Sequence, residues 1–202
     1  MRLVVMASGN GTDLQSIIDA IEEGYINAKI IAIISDKKGA CSLERAKKHG
    51  IDAYCLPKKE LKENFQKELL KLLEKLNPEG IILAGFLTIL SEEIVNRFPN
   101  KIINIHPSLI PAFCGKGLYG MKVHQAVYEY GVKYTGCTVH FVDKGTDTGP
   151  IILQEVVKIA EEDTPETIAQ KVLEVEHKVL PYAVKLFTEG RLKLEGRKVK
   201  IL

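Results

Sequence analysis

Through the first hundred residues, short continuous apolar runs alternate with stretches whose apolar residues recur every three or four positions. The runs at 3–7, 29–35, 53–56, 80–84 and 101–105 are rich in Ile, Val, Leu and Ala, the pattern of strands buried on both faces. Between them, 13–23, 41–49, 60–76 and 91–98 carry the helical period. The third is the clearest: Leu61, Phe65, Leu69, Leu72, Leu73 and Leu76 recur at helical spacing among Lys and Glu. Strands alternating with helices predict a parallel sheet covered on both faces, with ligands beyond the carboxyl ends of its strands.

The second half reads differently. A helix over 123–130 stops at Gly131, and two β-like runs, 135–141 and 150–159, flank the loop 143–149 and so predict an antiparallel pair. A long helix over 164–189 follows, with Pro181 expected to bend or divide it, and then a basic β-like tail over 192–202. The fold class is α/β and Rossmann-like: a mostly parallel sheet, helices on both faces and an antiparallel C-terminal portion. With no repeat, linker or low-complexity tract, 1–202 reads as one domain, with a nucleotide-binding half over about 1–100 and a second half over about 101–202.

Composition narrows this little. At 202 residues and 22.5 kDa, with 46% hydrophobic and 27% charged residues, the chain can build a substantial core. A net charge of +2 is too mild to argue for nucleic acid, so an anionic ligand must be met by local groups. The run at 3–7 is too short for a signal peptide, and no run approaches membrane-spanning length. Cys41, Cys55, Cys114 and Cys137 lack metal-type spacing and read as free thiols of a cytoplasmic protein.

The chemistry concentrates between Asn104 and Pro150. Asn104 and His106 lie one residue apart at the end of the fifth strand, hence on one face, and Pro107 keeps His106 out of the helical region. With Asp147 in a Gly-rich loop they form an amide, imidazole and carboxylate set suited to acid–base work; Asp147 alone could equally cap its turn. Ser8-Gly9-Asn10-Gly11-Thr12, between strand and helix, reads either as a phosphate cradle or as a turn followed by the capping box Thr12-Asp13-Leu14-Gln15. It is an incomplete dinucleotide fingerprint, with Asp36 as a candidate ribose-reading acid. His106, His124 and His140 match no metal-ligand spacing. Ser108 lacks a nucleophile elbow, nothing near Cys114 activates a thiolate, and Lys116 and Lys122 read as a solvated basic rim. Glu176 reads as a surface acid on the last helix.

The block Asn104-Ile105-His106-Pro107-Ser108-Leu109, with Asp147-x-Gly149-Pro150, resembles the folate-dependent formyltransferase family. Ser8-Gly9-Asn10-Gly11-Thr12-Asp13-Leu14-Gln15 and Ala84-Gly85-Phe86 are similar to the branch that acts on glycinamide ribonucleotide. The likeness runs from about Met1 to Leu194 in the family's motif order. It implies transfer of a formyl group from 10-formyltetrahydrofolate, as co-substrate, to the ribonucleotide's amine in purine synthesis, with no metal. By position, Asn104, His106 and Asp147 match the catalytic trio. Asn10, Gly11, Thr12, Asp13, Pro107 and Glu176 match ribonucleotide contacts. Leu87, Thr88, Ile89, Leu90, Asn104, Val142, Asp143 and Asp147 match the folate pocket, with Leu83 and Lys62 beside it. Asp13 stands where the family often has Asn, and Thr88 and Lys62 where some relatives carry Arg.

The resemblance also implies small-molecule substrates only, without nucleic acid or membrane, and a monomer or homodimer. At 202 residues the chain is expected to lack the tRNA-binding domain of the methionyl-tRNA branch. Outside the family, the first half alone is compatible with a nucleotide-binding oxidoreductase or a non-catalytic nucleotide-binding domain.

Overall fold

The structure, a computed structural model, describes residues 1–202, which divide into two compact units, Met1–Ile103 and Asn104–Leu202. In the first unit, β1 (Arg2–Met6), β2 (Lys29–Ser35), β3 (Ala53–Cys55) and β4 (Gly80–Leu83) form parallel neighbours in the order β3-β2-β1-β4. The central strand β1 is paired on both edges, and Leu3, Val4, Val5 and Met6 are fully buried, as an unbroken apolar run requires. Around these strands lie α1 (Thr12–Glu22), α2 (Cys41–Lys48), α3 (Lys58–Leu61), α4 (Phe65–Leu76) and α5 (Glu92–Arg97).

The helix expected over 60–76 is divided. A 3-10 turn over Lys62–Asn64 separates α3 from α4, and Lys62 takes a positive φ of 47°. Only Phe65, Leu69 and Leu73, four residues apart, reach the core, while Leu61 is half-buried. The hydrophobic stripe that reaches the core therefore begins at Phe65.

The chain passes between the units through β5 (Ile102–His106). In the second unit follow α6 (Met121–Tyr130), β6 (Tyr134–Phe141), β7 (Ile151–Lys158), α7 (Pro165–Thr188), β8 (Leu192–Glu195) and β9 (Lys198–Ile201), with strand order β5-β6-β7-β9-β8. β6 and β7 are antiparallel, with a register shift between Val139 and His140. The tail is a β8–β9 hairpin turning through Gly196, whose φ of 62° suits a two-residue loop.

Pro181 does not divide the last helix. α7 runs unbroken for 24 residues, opened by Thr164 and Thr167 in a reciprocal capping box with Pro165 at the first position. Pro181 is buried, and the packing of Leu180, Ala183 and Val184 beside it outweighs one missing helical hydrogen bond. No helix is long and apolar enough to cross a membrane.

Candidate functional site

In the second unit, three segments bring the acid–base set together: the end of β5, the end of β6 and the loop after it. His106 is buried, with Nδ1 3.6 Å from Oδ2 of Asp147. Its other nitrogen, Nε2, donates to the carbonyl of Phe113 at 3.0 Å. Nε2 therefore carries a hydrogen, and Nδ1 stands beside the Asp147 carboxylate without a hydrogen bond to it. Asp147 is held in turn: its Oδ2 accepts from the Gly115 amide at 2.9 Å, and its backbone takes the left-handed conformation, φ 57°.

His140 is held by a different set of partners. Its Nδ1 donates to the Phe141 carbonyl at 2.8 Å, and burial, ahead of the charge of His106, pushes its pKa down. A neutral ring with hydrogen on Nδ1 offers a lone pair at Nε2, which accepts from Nδ2 of Asn104 at 3.1 Å. The amide of Asn104 is thereby oriented, with its second N–H left to donate elsewhere. A register shift lies at Val139/His140, and the His140 side chain is buried. Asp147 reaches His140 as well, with Oδ1 3.8 Å from Nε2.

The loop after His106 is fastened to the antiparallel pair. Thr138 Oγ1 donates to the Ser108 carbonyl at 2.7 Å and accepts from the Ile110 amide at 3.1 Å, while Gln154 Nε2 donates to the Ile110 carbonyl at 2.9 Å. Ser108 Oγ donates to the Ala112 carbonyl at 2.7 Å, which makes it a loop tie. Burial, then the charge of Asp147, pushes the Cys114 thiol up, away from thiolate. On the far side, Asp143 Oδ1 accepts from Gly145 N–H at 3.0 Å and Thr148 Oγ1 at 2.6 Å, shaping the loop that presents Asp147. Gly149 is required there, because a Cβ would lie 1.7 Å from the Phe141 carbonyl oxygen. Val142 and Pro107 are half-buried on the flanking segments, and Glu176 is buried on α7.

In the first unit the loop after β1 opens α1 without a side-chain cap. Gly11 occupies the cap position at φ 68°, so the capping box Thr12-Asp13-Leu14-Gln15 does not form. Gly11 also lies close to α2, since a Cβ there would meet Ser42 Cβ at 2.9 Å. Arg45 of α2 donates through Nε to the Asn10 carbonyl at 2.9 Å and through Nη1 to Gln15 Oε1 at 2.9 Å. The loop therefore offers uncapped amides, a helix N-terminus and a guanidinium, a setting for a phosphate. Asp13, half-buried, opposes this, and burial pushes its carboxyl up to about 6.

Also in the first unit, the segment from Ala84 to Ser91 leaves β4 without regular structure. Leu83 and Leu90 turn inward, whereas Leu87 and Ile89 are 43% and 54% exposed. Thr88 is buried and donates to Asp36 Oδ2 at 2.6 Å. Lys62 stands at the break between α3 and α4, with a φ of 47°. No group of three or more His, Cys, Asp or Glu is placed to hold a metal ion.

Residues 1–184 match the family described as formyl transferase. The chain belongs to the formyl transferase family. Among its relatives, the phosphoribosylglycinamide formyltransferase of Haemophilus influenzae is 40% identical over 196 residues, covering 96% of this chain and 90% of the relative. The chloroplastic phosphoribosylglycinamide formyltransferase of Arabidopsis thaliana is 39% identical over 95% of this chain and 67% of its own length. A crystal structure of glycinamide ribonucleotide transformylase 1 from Symbiobacterium toebii superposes with a TM-score of 0.93 at 42% identity, covering 100% of this chain and 94% of that one. The chain spans 19% of the longer trifunctional purine biosynthetic protein adenosine-3 of Bos taurus.

Within this formyl transferase, two contributors are not singled out for the acid–base or phosphate site by the sequence. His140 is weighed there only as a metal ligand, and Arg45 lies in a helix whose polar face reads as solvated. Their significance comes from contacts with residues far along the chain, Asn104 and Asn10.

Proposed function

We propose that the protein transfers the formyl group of 10-formyltetrahydrofolate to the amine of glycinamide ribonucleotide, in purine synthesis. The observation that carries this reading is the placement of His106, whose Nε2 donates to a carbonyl while its Nδ1 faces the Asp147 carboxylate at 3.6 Å. The supporting comparison is with relatives of matching length named for that reaction.

In this reading the amine nitrogen attacks the formyl carbon, and negative charge develops on the carbonyl oxygen. The second N–H of Asn104 and the Nε2–H of His106 donate to that oxygen, which replaces the Phe113 carbonyl as the histidine's acceptor. Asp147 stabilises the imidazolium. As the carbon–nitrogen bond to the folate breaks, the departing nitrogen gains a proton and the former amine loses one, relayed through His106 or water.

The loop at Asn10, Gly11, Thr12 and Asp13 is assigned the ribonucleotide's phosphate, with Pro107 and Glu176 as further contacts. The folate is assigned Leu83, Leu87, Thr88, Ile89, Leu90, Val142 and Asp143, with Lys62 beside them. We assign both units to one cytoplasmic formyltransferase domain with small-molecule substrates, acting without metal or nucleic acid as a monomer or homodimer. Separate titrations test the substrate class: glycinamide ribonucleotide binds, and NAD and NADP do not. Binding of NAD in its place would return the first unit to the oxidoreductases.

A further inference from the structure

The segment from Ala84 to Ser91 combines two properties that rarely coincide. It exposes two large aliphatic side chains, Leu87 and Ile89, yet it is held through its backbone at both ends and through the Thr88 side chain in the middle. At its start, Ser8 N–H donates to the Gly85 carbonyl at 3.0 Å, and Leu87 N–H donates back to Ser8 Oγ at 2.8 Å. In the middle, Thr88 is held by Asp36, itself buried at the exit of β2. At its end, Gln66 in the first turn of α4 donates through Nε2 to the Ile89 carbonyl at 2.9 Å and accepts at Oε1 from the Ser91 amide at 3.0 Å.

The Gln66 bridge is chemically selective. One primary amide reads a carbonyl and an N–H two residues apart, as a neighbouring strand would. Glu would lack the donor, Lys the acceptor, and Met both. The Asp36 contact is similarly exacting, because its Oδ1 is buried without a partner and Thr88 is the only side chain on its Oδ2. Ties from the exits of β1 and β2 and from α4 converge on one loop at the carboxyl ends of a parallel sheet, where such sheets bind ligands. A loop that merely connected β4 to α5 would not need them.

We infer that Gln66, Asp36 and Ser8 are positioning residues that set the affinity for the folate by pre-ordering this loop, without touching the folate. Leu87 and Ile89 are the apolar platform for the flat ring, and the ties remove the ordering cost that binding would otherwise carry. This rests on the assignment of the folate to the loop, and the test separates the two.

Steady-state kinetics are measured for both substrates in Gln66→Met, Asp36→Ala, Asp36→Asn and Leu87→Ser, with a thermal melt of each. Gln66→Met and Asp36→Ala should raise the KM for 10-formyltetrahydrofolate about tenfold, with the KM for glycinamide ribonucleotide and kcat within about twofold of the parent. Asp36→Asn keeps an acceptor for Thr88 and should show a smaller rise than Asp36→Ala. If Leu87→Ser raises the folate KM and Gln66→Met does not, the inference is overturned and the folate assignment stands. If Leu87→Ser leaves the folate KM unchanged, the assignment itself falls. Equal rises in both KM values with a lowered melting temperature would make the ties structural only, and would also overturn the inference.

Discussion

Nδ2 of Asn104 donates to Nε2 of His140 at 3.1 Å, and that hydrogen bond decides which way the Asn104 amide faces. The bond exists because His140 is neutral and carries its hydrogen on Nδ1, toward the Phe141 carbonyl. His140→Leu removes the acceptor and leaves the amide free to rotate. We expect kcat to fall roughly 10- to 100-fold, somewhat less than the loss of an oxyanion donor, with both KM values little changed. A kcat equal to the parent's would show that Asn104 is oriented by something else.

Asp147→Asn tests the charge beside His106 while preserving the shape of the loop. Asn tolerates the left-handed conformation at φ 57° and can still accept from the Gly115 amide. The substitution removes the negative charge that faces the His106 ring at 3.6 Å. The maximal rate should drop by roughly 10²–10⁴-fold if the acid–base contribution is lost. A rate matching the parent would reduce Asp147 to a turn residue.

The uncapped start of α1 makes its own test. Thr12 is the first helical residue, where proline is conformationally welcome, so Thr12→Pro removes one amide without breaking the helix. Ribonucleotide affinity should weaken, and it should be nearly unchanged in Thr12→Ser. Asp13 adds a pH signature, since its carboxyl ionises near 6 and then opposes a phosphate. Asp13→Asn should lower the ribonucleotide's KM relative to the parent at pH 7.5, and the two should converge at pH 5. A constant ratio across that range would place the carboxyl away from the anion.

His124 should govern part of the acid stability. It is buried on α6, and burial, with the nearby His106 adding to it, pushes its pKa down to about 4. The native state keeps it neutral while the unfolded chain binds a proton below about 6.5, so its contribution is lost as pH falls from about 6.5 to about 4. The loss over that window is about 3 kcal/mol. Asp13 acts in the opposite sense, because the native state holds its proton between about 6 and 3.8 and gains stability as pH falls. Urea unfolding of the parent and His124→Gln at several pH values isolates the histidine: the parent's stability should fall more steeply with acid. Parallel curves would show that His124 does not titrate with folding.

Much of this was legible in the residues because burial constrains composition. β1, β2, β4 and β5 lie in apolar runs, and parallel strands covered on both faces must be so. Asn104 and His106 could be paired on one face by the two-residue period alone. The break at Lys62 could not be seen, since a lysine at positive φ leaves no mark in a helical pattern. The division expected at Pro181 does not occur, because a buried helix held by its neighbours tolerates one absent hydrogen bond. The roles of Arg45, Gln66 and His140 stayed hidden for a shared reason: each acts on a backbone or side chain distant in sequence, and a polar residue on a helix or strand does not announce its partner.

The most direct measurement is formyl transfer itself. The purified protein is incubated with 10-formyltetrahydrofolate, with and without glycinamide ribonucleotide, and formylated ribonucleotide and free tetrahydrofolate are quantified together. The account predicts equal amounts of both products, formed only when the ribonucleotide is present and abolished in His106→Ala. Tetrahydrofolate released without the ribonucleotide would mean that water, and not the amine, is the acceptor; no formylated product with both substrates present would contradict the account outright.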